Sequence, residues 1–119
     1  MENTELRLIV GLNIGEGQLE KFKNMAQEIA GSVEATESNT SAYEWFINDA
    51  GDKCYVSELY PDSDALISHL KNVGAALGPL LEIAPLTEML VFGMPSDEAA
   101  EILNGFGAQL FPFLAGFKR

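Results

Sequence analysis

The spacing of apolar residues changes several times along the chain, and each change predicts a new element. Apolar residues first recur at every second position, which predicts a strand over residues 6–14 with an apolar face of Leu6, Leu8, Val10, Leu12 and Ile14. After the glycines of Gly15-Glu16-Gly17 the spacing becomes helical. It predicts a helix over residues 17–35 with an apolar stripe of Leu19, Phe22, Met25, Ala26, Ile29 and Val33. A polar loop over residues 37–41 follows.

A hairpin is predicted next. Residues 42–48 and 53–60 are rich in strand-forming side chains, and the turn sequence Asp49-Ala50-Gly51-Asp52 separates them. Alternation on the second strand places Glu58 and Tyr60 on one face, together with Cys54 and Val56. On the first strand Tyr43 and Trp45 share a face, and the register decides whether they lie beside Glu58 and Tyr60.

Helices and a fourth strand complete the pattern. Pro61 followed by Asp62-Ser63-Asp64 predicts a helix start, and the helix has an inward stripe of Leu66, His69, Leu70 and Val73. Gly74 predicts an interruption, and Pro79 predicts a second short helix that continues to about residue 84. Residues 86–93 predict a fourth strand. Pro95-Ser96-Asp97-Glu98 predicts a further helix of about two turns.

The resulting order of elements is βαββαβ, the ferredoxin-like pattern of an α+β protein. It predicts an antiparallel sheet with two helices on one face, in a single domain over residues 1–119. The core is expected at about residues 6–93, and residues 94–119 form a C-terminal extension predicted to be a helical tail. The other face of the sheet is left open and apolar. This favours a two-fold homodimer that packs the open faces together.

Composition argues against two classes of binding partner. The chain has 119 residues, with 18 acidic against 7 basic side chains and a net charge of -11, which argues against nucleic-acid and anionic membrane binding. The N-terminus does not have the pattern of a signal peptide, and no apolar segment reaches membrane-spanning length. The single cysteine, Cys54, cannot form an internal disulfide and is interpreted as a buried apolar residue. We therefore expect a cytoplasmic protein.

The chemistry-bearing residues cluster around the third strand and the helix after it. The sequence has no phosphate loop, dinucleotide fingerprint, nucleophile elbow or histidine cluster, and no metal site is predicted. Glu58, Tyr60 and His69 remain, with Tyr43 and Trp45 on the neighbouring strand. A carboxylate, a phenol, an indole and an imidazole in one apolar cleft form a plausible site for a small aromatic ligand.

Each of these residues also has a structural explanation. His69 fits a core-edge histidine bonded to a backbone group or a carboxylate as well as it fits a functional residue. Glu58 fits a sheet-face charge, and the aromatic residues fit half-buried strand positions. The sequence alone leaves both interpretations open.

The ordered set of motifs resembles the antibiotic biosynthesis monooxygenase-like family, which includes quinol monooxygenases. The resemblance rests on Tyr43-Glu44-Trp45-Phe46, on the turn at 49–52, and on Glu58-Leu59-Tyr60-Pro61-Asp62-Ser63 through His69-Leu70. Its central pattern is an acid, one spacer, an aromatic residue and a histidine nine residues later. The opening segment Val10-Gly11-Leu12 through Gly17-Gln18 also fits, and the resemblance covers about residues 6–93.

The resemblance implies a dimeric α+β barrel and a cofactor-independent monooxygenase acting on a small phenol or quinol. On that model His69, Tyr60 and Glu58 are the catalytic residues: His69 is a base or hydrogen-bond partner of the substrate, and Glu58 tunes or anchors His69. Tyr60 and Trp45 stack on or orient the substrate, and Tyr43 and Trp45 are substrate-binding residues. Asn13 is a further candidate for substrate binding. Two alternatives stay open. One is a non-catalytic ligand-binding or stress-related dimer, and the other is a haem-binding or haem-degrading protein, disfavoured because Tyr60 stands where that branch has tryptophan.

Overall fold

The computed structural model describes residues 3–119 and contains eight regular elements. In chain order they are β1 (Leu6–Asn13), α1 (Leu19–Thr36), β2 (Ala42–Ile47), β3 (Lys53–Tyr60), α2 (Ser63–Ile83), β4 (Leu86–Phe92), α3 (Asp97–Asn104) and β5 (Gln109–Phe111). The first six reproduce the predicted βαββαβ order within a few residues at each boundary. The predicted ferredoxin-like α+β fold is therefore confirmed.

The sheet has five strands in the order β2-β3-β1-β4-β5. The pairs β2-β3, β3-β1 and β1-β4 are antiparallel, as predicted, and β5 lies parallel to β4. The predicted helical tail contains the helix α3 and, in addition, the short strand β5, which was not predicted. After α3 the chain returns to the sheet edge, where Leu110 pairs with Val91.

The two faces of the sheet have different surroundings. One face carries the alternate residues of β1 and β3 that are buried under α1 and α2: Leu6, Leu8, Val10, Leu12, Cys54, Val56, Glu58 and Tyr60. On the other face no helix covers Phe46, Tyr55 and Phe92, which are 57%, 38% and 38% exposed. We call this second surface the open face.

Helix α2 is continuous, so the predicted interruption at Gly74 and the separate short helix from Pro79 are wrong. Its start is as predicted, because the Asp62 side chain accepts a hydrogen bond from the Ala65 backbone N–H at 2.9 Å. A glycine inside a helix costs about 1 kcal/mol relative to alanine. Burial of Val73 and Leu80 on either side keeps the helix intact across Gly74.

The C-terminal extension packs onto the domain through α3. Ser96 caps this helix by accepting from the Ala99 N–H at 3.2 Å, and its own N–H donates to the Ser63 hydroxyl at 2.8 Å. Ala99 and Leu103 are fully buried. The chain reaches α3 through Gly93, whose φ of +126° and close approach to the Glu5 carbonyl exclude a side chain.

Among the described residues, no helix has the length and hydropathy needed to cross a bilayer.

Candidate functional site

The sheet and α2 bring the predicted acid and histidine together in the interior. Glu58 lies in the middle of β3, directly opposite Leu8 of β1 and Tyr43 of β2. His69 projects from the second turn of α2 towards this strand. The two residues are only 6% and 2% exposed, and they are the two buried polar residues of the described chain. Burying ionisable groups costs free energy unless they are paired, so their partners define the site.

Glu58 contacts one phenol and one imidazole. The Tyr60 hydroxyl donates to Glu58 Oε1 at 2.6 Å. His69 Nε2 lies 3.6 Å from the same oxygen, which is a close electrostatic contact rather than a hydrogen bond. The second carboxyl oxygen has no side-chain partner among residues 3–119 and is available to carry a proton or meet a ligand.

A second glutamate, Glu37, holds the other side of the imidazole. Its Oε1 and Oε2 lie 2.8 and 3.1 Å from His69 Nδ1. Asn72 of α2 donates to its Oε2 at 2.7 Å, and Thr40 donates to its Oε1 at 2.6 Å. The sequence analysis missed Glu37, since a glutamate at a helix end before a polar loop has no pattern that links it to a residue 32 positions away.

The environment shifts the three pKa values in different directions. Burial raises the pKa of Glu58 to about 7, although the Tyr60 hydrogen bond acts against this. Burial also lowers the pKa of His69, and the bond and charge of Glu37 only partly offset it. Burial raises the pKa of Glu37, but hydrogen bonds from Asn72, Thr40 and His69 outweigh it, so the net pKa is below the usual value. Near neutral pH a neutral imidazole therefore lies between an ionised and a partly protonated carboxyl.

The two ring nitrogens of His69 have different surroundings. Nδ1 lies within hydrogen-bond distance of the Glu37 carboxylate, which accepts from an N–H. Nε2 lies on the side of Glu58 and the interior, with no hydrogen-bond partner within residues 3–119. Burial and the neighbouring Glu58 carboxylate raise the pKa of Tyr60, which keeps its hydroxyl protonated as a donor. The group can accept a proton at Nε2 and stabilise the resulting imidazolium.

A cavity of about 50 Å³ adjoins the pair. Its polar lining comes from Glu58, His69 and Tyr43 and from the indole of Trp45, and the remaining wall is apolar: Leu8, Val10, Leu12, Val56, Leu70, Leu77, Leu80, Leu81, Leu86, Met89 and Phe106. Typical ligand pockets measure roughly 300–1,000 Å³. An aromatic ligand therefore requires the wall to move outward, and α2 supplies four of its leucines.

Aromatic rings close the cavity on the side of the edge strand. The ring centroid of Tyr43 lies 4.9 Å from that of His69 and 5.8 Å from that of Trp45. Trp45 Nε1 is buried and has no hydrogen-bond partner within residues 3–119. An unpaired buried indole N–H costs free energy and is a donor that a ligand oxygen can satisfy.

Two predicted residues lie outside the cavity. Tyr60 is fully buried beneath Glu58 and does not line it, so it acts on Glu58 rather than on a ligand. Asn13 is exposed at the end of β1 and follows the alternation of the open face, so the structure does not bring it to the site. The other four candidates, Glu58, His69, Tyr43 and Trp45, come together as lining residues.

Comparison with solved structures agrees with this architecture. MupZ from Pseudomonas fluorescens superposes with a TM-score of 0.84 at 21% identity, over 98% of this chain and 96% of that chain. Coverage this complete includes the C-terminal extension. A protein from Caulobacter crescentus CB15, named provisionally as an antibiotic biosynthesis monooxygenase, gives a TM-score of 0.65 at 18% identity over 75% of this chain and 86% of its own.

SnoaB, described as a cofactor-independent oxygenase from Streptomyces nogalater, gives a TM-score of 0.65 at 14% identity over 78% of this chain and 95% of its own. The chain has the fold of the antibiotic biosynthesis monooxygenases. The resemblance inferred from the sequence is thus confirmed at the level of fold. No protein-family model matches the chain, and no curated protein sequence is significantly similar to it.

Proposed function

We propose that this protein is a cofactor-independent monooxygenase-like enzyme that oxidises a small aromatic phenol or quinol with molecular oxygen. The observation that carries the proposal is the position of His69, whose Nε2 lies 3.6 Å from Glu58 Oε1 and whose ring lines a largely apolar cavity. The hydroxyl proton of a phenol is more acidic than its C–H protons, so the hydroxyl is the group that gives a proton to such a base. The names of the structural neighbours SnoaB and the Caulobacter protein support the reaction class.

The first step is removal of the phenolic proton. His69 Nε2 accepts the proton, the substrate O–H bond breaks, and a phenolate remains in the cavity. Glu37 and Glu58 flank the imidazolium and stabilise its charge. Positioned general bases contribute roughly 10²- to 10⁴-fold to rate.

Oxygen then acts on the electron-rich phenolate. One oxygen atom enters the ring carbon, and the other leaves as water with the hydrogens of the original O–H and ring C–H, so that a phenol becomes a quinone. His69 returns its proton to the departing oxygen, and no net proton is released. Trp45 Nε1, which has no partner within residues 3–119, is the donor offered to a ligand oxygen, and the Tyr43 ring packs beside the Trp45 ring on the edge strand.

The cavity also bears on the haem alternative. Nδ1 of His69 is bonded to Glu37, so only Nε2 is left to ligate iron, and Glu58 Oε1 lies 3.6 Å from it. The cavity measures about 50 Å³, so a macrocycle would have to displace far more of the apolar wall than a one-ring phenol does. These residues do not fit haem.

The proposal is tested by oxygen uptake with a graded panel of phenol, hydroquinone and 1-naphthol, with product identified by mass spectrometry in ¹⁸O₂. We expect substrate-dependent oxygen uptake, one labelled oxygen atom in the product, and a loss of about 100-fold or more in kcat for His69→Ala. Lys71→Ala, on the exposed side of the same helix, is the matched control and is expected to retain activity.

Three results would contradict the proposal. They are no uptake with any panel member, unlabelled product, or equal rates for His69→Ala and Lys71→Ala. Saturable binding of the same phenols without oxygen uptake would instead support a ligand-binding protein on this fold. Thermal unfolding of each variant separates loss of activity from loss of folding.

We further propose that the open face is covered by a second copy of the chain. Phe46, Tyr55 and Phe92 present exposed aromatic surface on an otherwise regular sheet. Sedimentation equilibrium at micromolar concentration is expected to give twice the chain mass, and a monomer would refute the proposal.

A further inference from the structure

We propose that Glu37 is a positioning residue of the site: it holds the proton of His69 on Nδ1, leaves Nε2 as the acceptor on the cavity side, and stabilises the imidazolium once Nε2 is protonated. This inference deepens the proposed function and rests on it only for the reaction, not for the geometry. Glu37 lies at the C-terminal cap of α1, far in sequence from the motif around Glu58 and His69.

The contacts of Glu37 are arranged to receive one particular proton. Both of its oxygens approach His69 Nδ1, at 2.8 and 3.1 Å. Thr40 and Asn72 donate to the same two oxygens, and Asn72 Nδ2 also lies 3.0 Å from the Thr36 hydroxyl. Because every polar neighbour donates, the carboxylate is held in its ionised form and in one orientation.

The groups that face the imidazole come from several elements. Glu37 approaches from the end of α1, Glu58 and Tyr60 from β3, and the Tyr43 ring from β2. Of these, only Glu37 is within hydrogen-bond distance of a ring nitrogen. The tautomer of His69 is therefore decided by Glu37.

The location of Glu37 separates this role from direct catalysis. Its side chain lines a polar depression on the outer surface together with Ser38, Thr40 and Ser41, and it does not line the inner cavity. The His69 ring lies between the two. A substrate in the cavity thus meets Nε2 and Glu58, whereas Glu37 acts only through the imidazole.

His69 is the single histidine of the sequence, so the histidine signals in a spectrum come from this residue alone. The probe is ¹⁵N-histidine-labelled protein, in which the two ring nitrogens report the tautomer and the pKa by NMR without overlap. In the wild type we expect Nδ1 protonated and Nε2 unprotonated in the neutral form. In Glu37→Ala we expect this preference to be lost, since Nδ1 has no acceptor.

Glu37→Gln keeps an acceptor oxygen but removes the charge. We expect the Nδ1–H tautomer to be retained and the pKa of His69 to shift downward, because the bond and charge of Glu37 both raise it. Glu34→Ala removes an exposed glutamate on the preceding turn of α1 that lines the same outer depression, and it is expected to change neither property. In oxygen uptake we expect kcat to fall about 10- to 100-fold for Glu37→Ala, with KM little changed.

An unchanged tautomer in Glu37→Ala, or an unchanged pKa of His69 in Glu37→Gln, would overturn the inference whatever the activity. If Glu37→Ala does not fold, the pKa of His69 in Glu37→Gln decides. Altered ¹⁵N spectra in a protein with no oxygen uptake would support the positioning role and refute the oxygenase proposal instead.

Discussion

The two faces of the sheet depart in opposite ways from the usual pattern, in which ionisable side chains are exposed and large apolar side chains are buried. The helix-covered face buries two ionisable residues, Glu58 and His69, at 6% and 2% exposure. The open face exposes large aromatic residues, including Phe46 at 57% and Phe92 at 38%. Folding alone favours neither arrangement, because buried charge and exposed apolar surface both cost free energy.

The polar groups around the two faces differ, and we interpret the faces differently for this reason. On the covered face Glu37, Tyr60 and Asn72 supply a polar network that makes the buried pair tolerable and leaves one side of it against a cavity. On the open face the polar contacts are exposed to solvent: the Tyr55 hydroxyl donates to Glu88, and Lys53 lies over the Tyr55 ring, while Phe46 and Phe92 stay uncovered by a helix. We interpret the first as a reaction site and the second as a surface for a partner.

The largest effect on the free energy of unfolding is expected for a leucine under the covered face, and a leucine outside that face serves as the comparison. Leu80 is 1% exposed and lines the cavity, so Leu80→Ala is expected to lower the free energy of unfolding by about 2–5 kcal/mol. Leu114 is 94% exposed, so Leu114→Ala is expected to change it by less than about 0.5 kcal/mol. Urea denaturation measures both. Similar losses for the two variants would show that Leu80 is not part of a packed wall.

The next largest effect is expected on the pH dependence of the free energy of unfolding, through Glu58. Its pKa is 4.5 when unfolded and about 7 when folded, so its stabilising protonated form is fully present below pH 4.5 and its contribution is lost as pH rises through about 7. The shift corresponds to about 3 kcal/mol. His69 acts oppositely: its lowered pKa favours folding above pH 6.5, a contribution lost as pH falls.

The difference in the free energy of unfolding between the wild type and Glu58→Gln isolates the contribution of Glu58. Relative to Glu58→Gln, the wild type is expected to lose stability in urea between pH 5 and 8. Glu44→Gln, an exposed position on β2, is the control and is expected to follow the wild type at each pH. A constant difference between wild type and Glu58→Gln across this range would mean that Glu58 is ionised throughout.

The smallest effect on folding is expected on the open face. Phe46→Lys places a charge where the proposed partner packs, and it is expected to raise the dissociation constant of the dimer about 10- to 100-fold while leaving the monomer folded. Lys21→Ala, an exposed position on α1, is the control. Sedimentation velocity over a concentration series distinguishes the two, and an unchanged dimer would exclude Phe46 from the interface.

Periodicity was sufficient to predict most of the fold. The alternation of Leu6, Leu8, Val10 and Leu12 reflects a strand with one buried face, and that signal depends only on local geometry. It failed where long-range packing outweighs local preference. Gly74 and Pro79 suggest breaks in α2, yet the burial of Val73 and Leu80 beside them keeps one helix. Strand β5 has only three residues and exists because Val91 offers it a partner edge.

The site was predictable only where its residues share one βα unit. Glu58, Tyr60 and His69 follow a fixed spacing in the chain, so their meeting is a local consequence of strand and helix geometry. Glu37 reaches His69 through tertiary packing of α1 against α2, which no local pattern encodes. Asn13 illustrates the converse, since the alternation of β1 already assigned it to the face opposite Leu8 and Leu12.

The proposed site holds a neutral histidine next to a carboxyl with a raised pKa, rather than a buried ion pair. The pH titration of the ¹⁵N signals of His69 in the wild-type protein tests this most directly, because the chain has no other histidine. We expect half-protonation of His69 below pH 6.5, with Nδ1 carrying the proton of the neutral form. Half-protonation above pH 6.5, as expected for an imidazolium paired with an ionised Glu58, would contradict it.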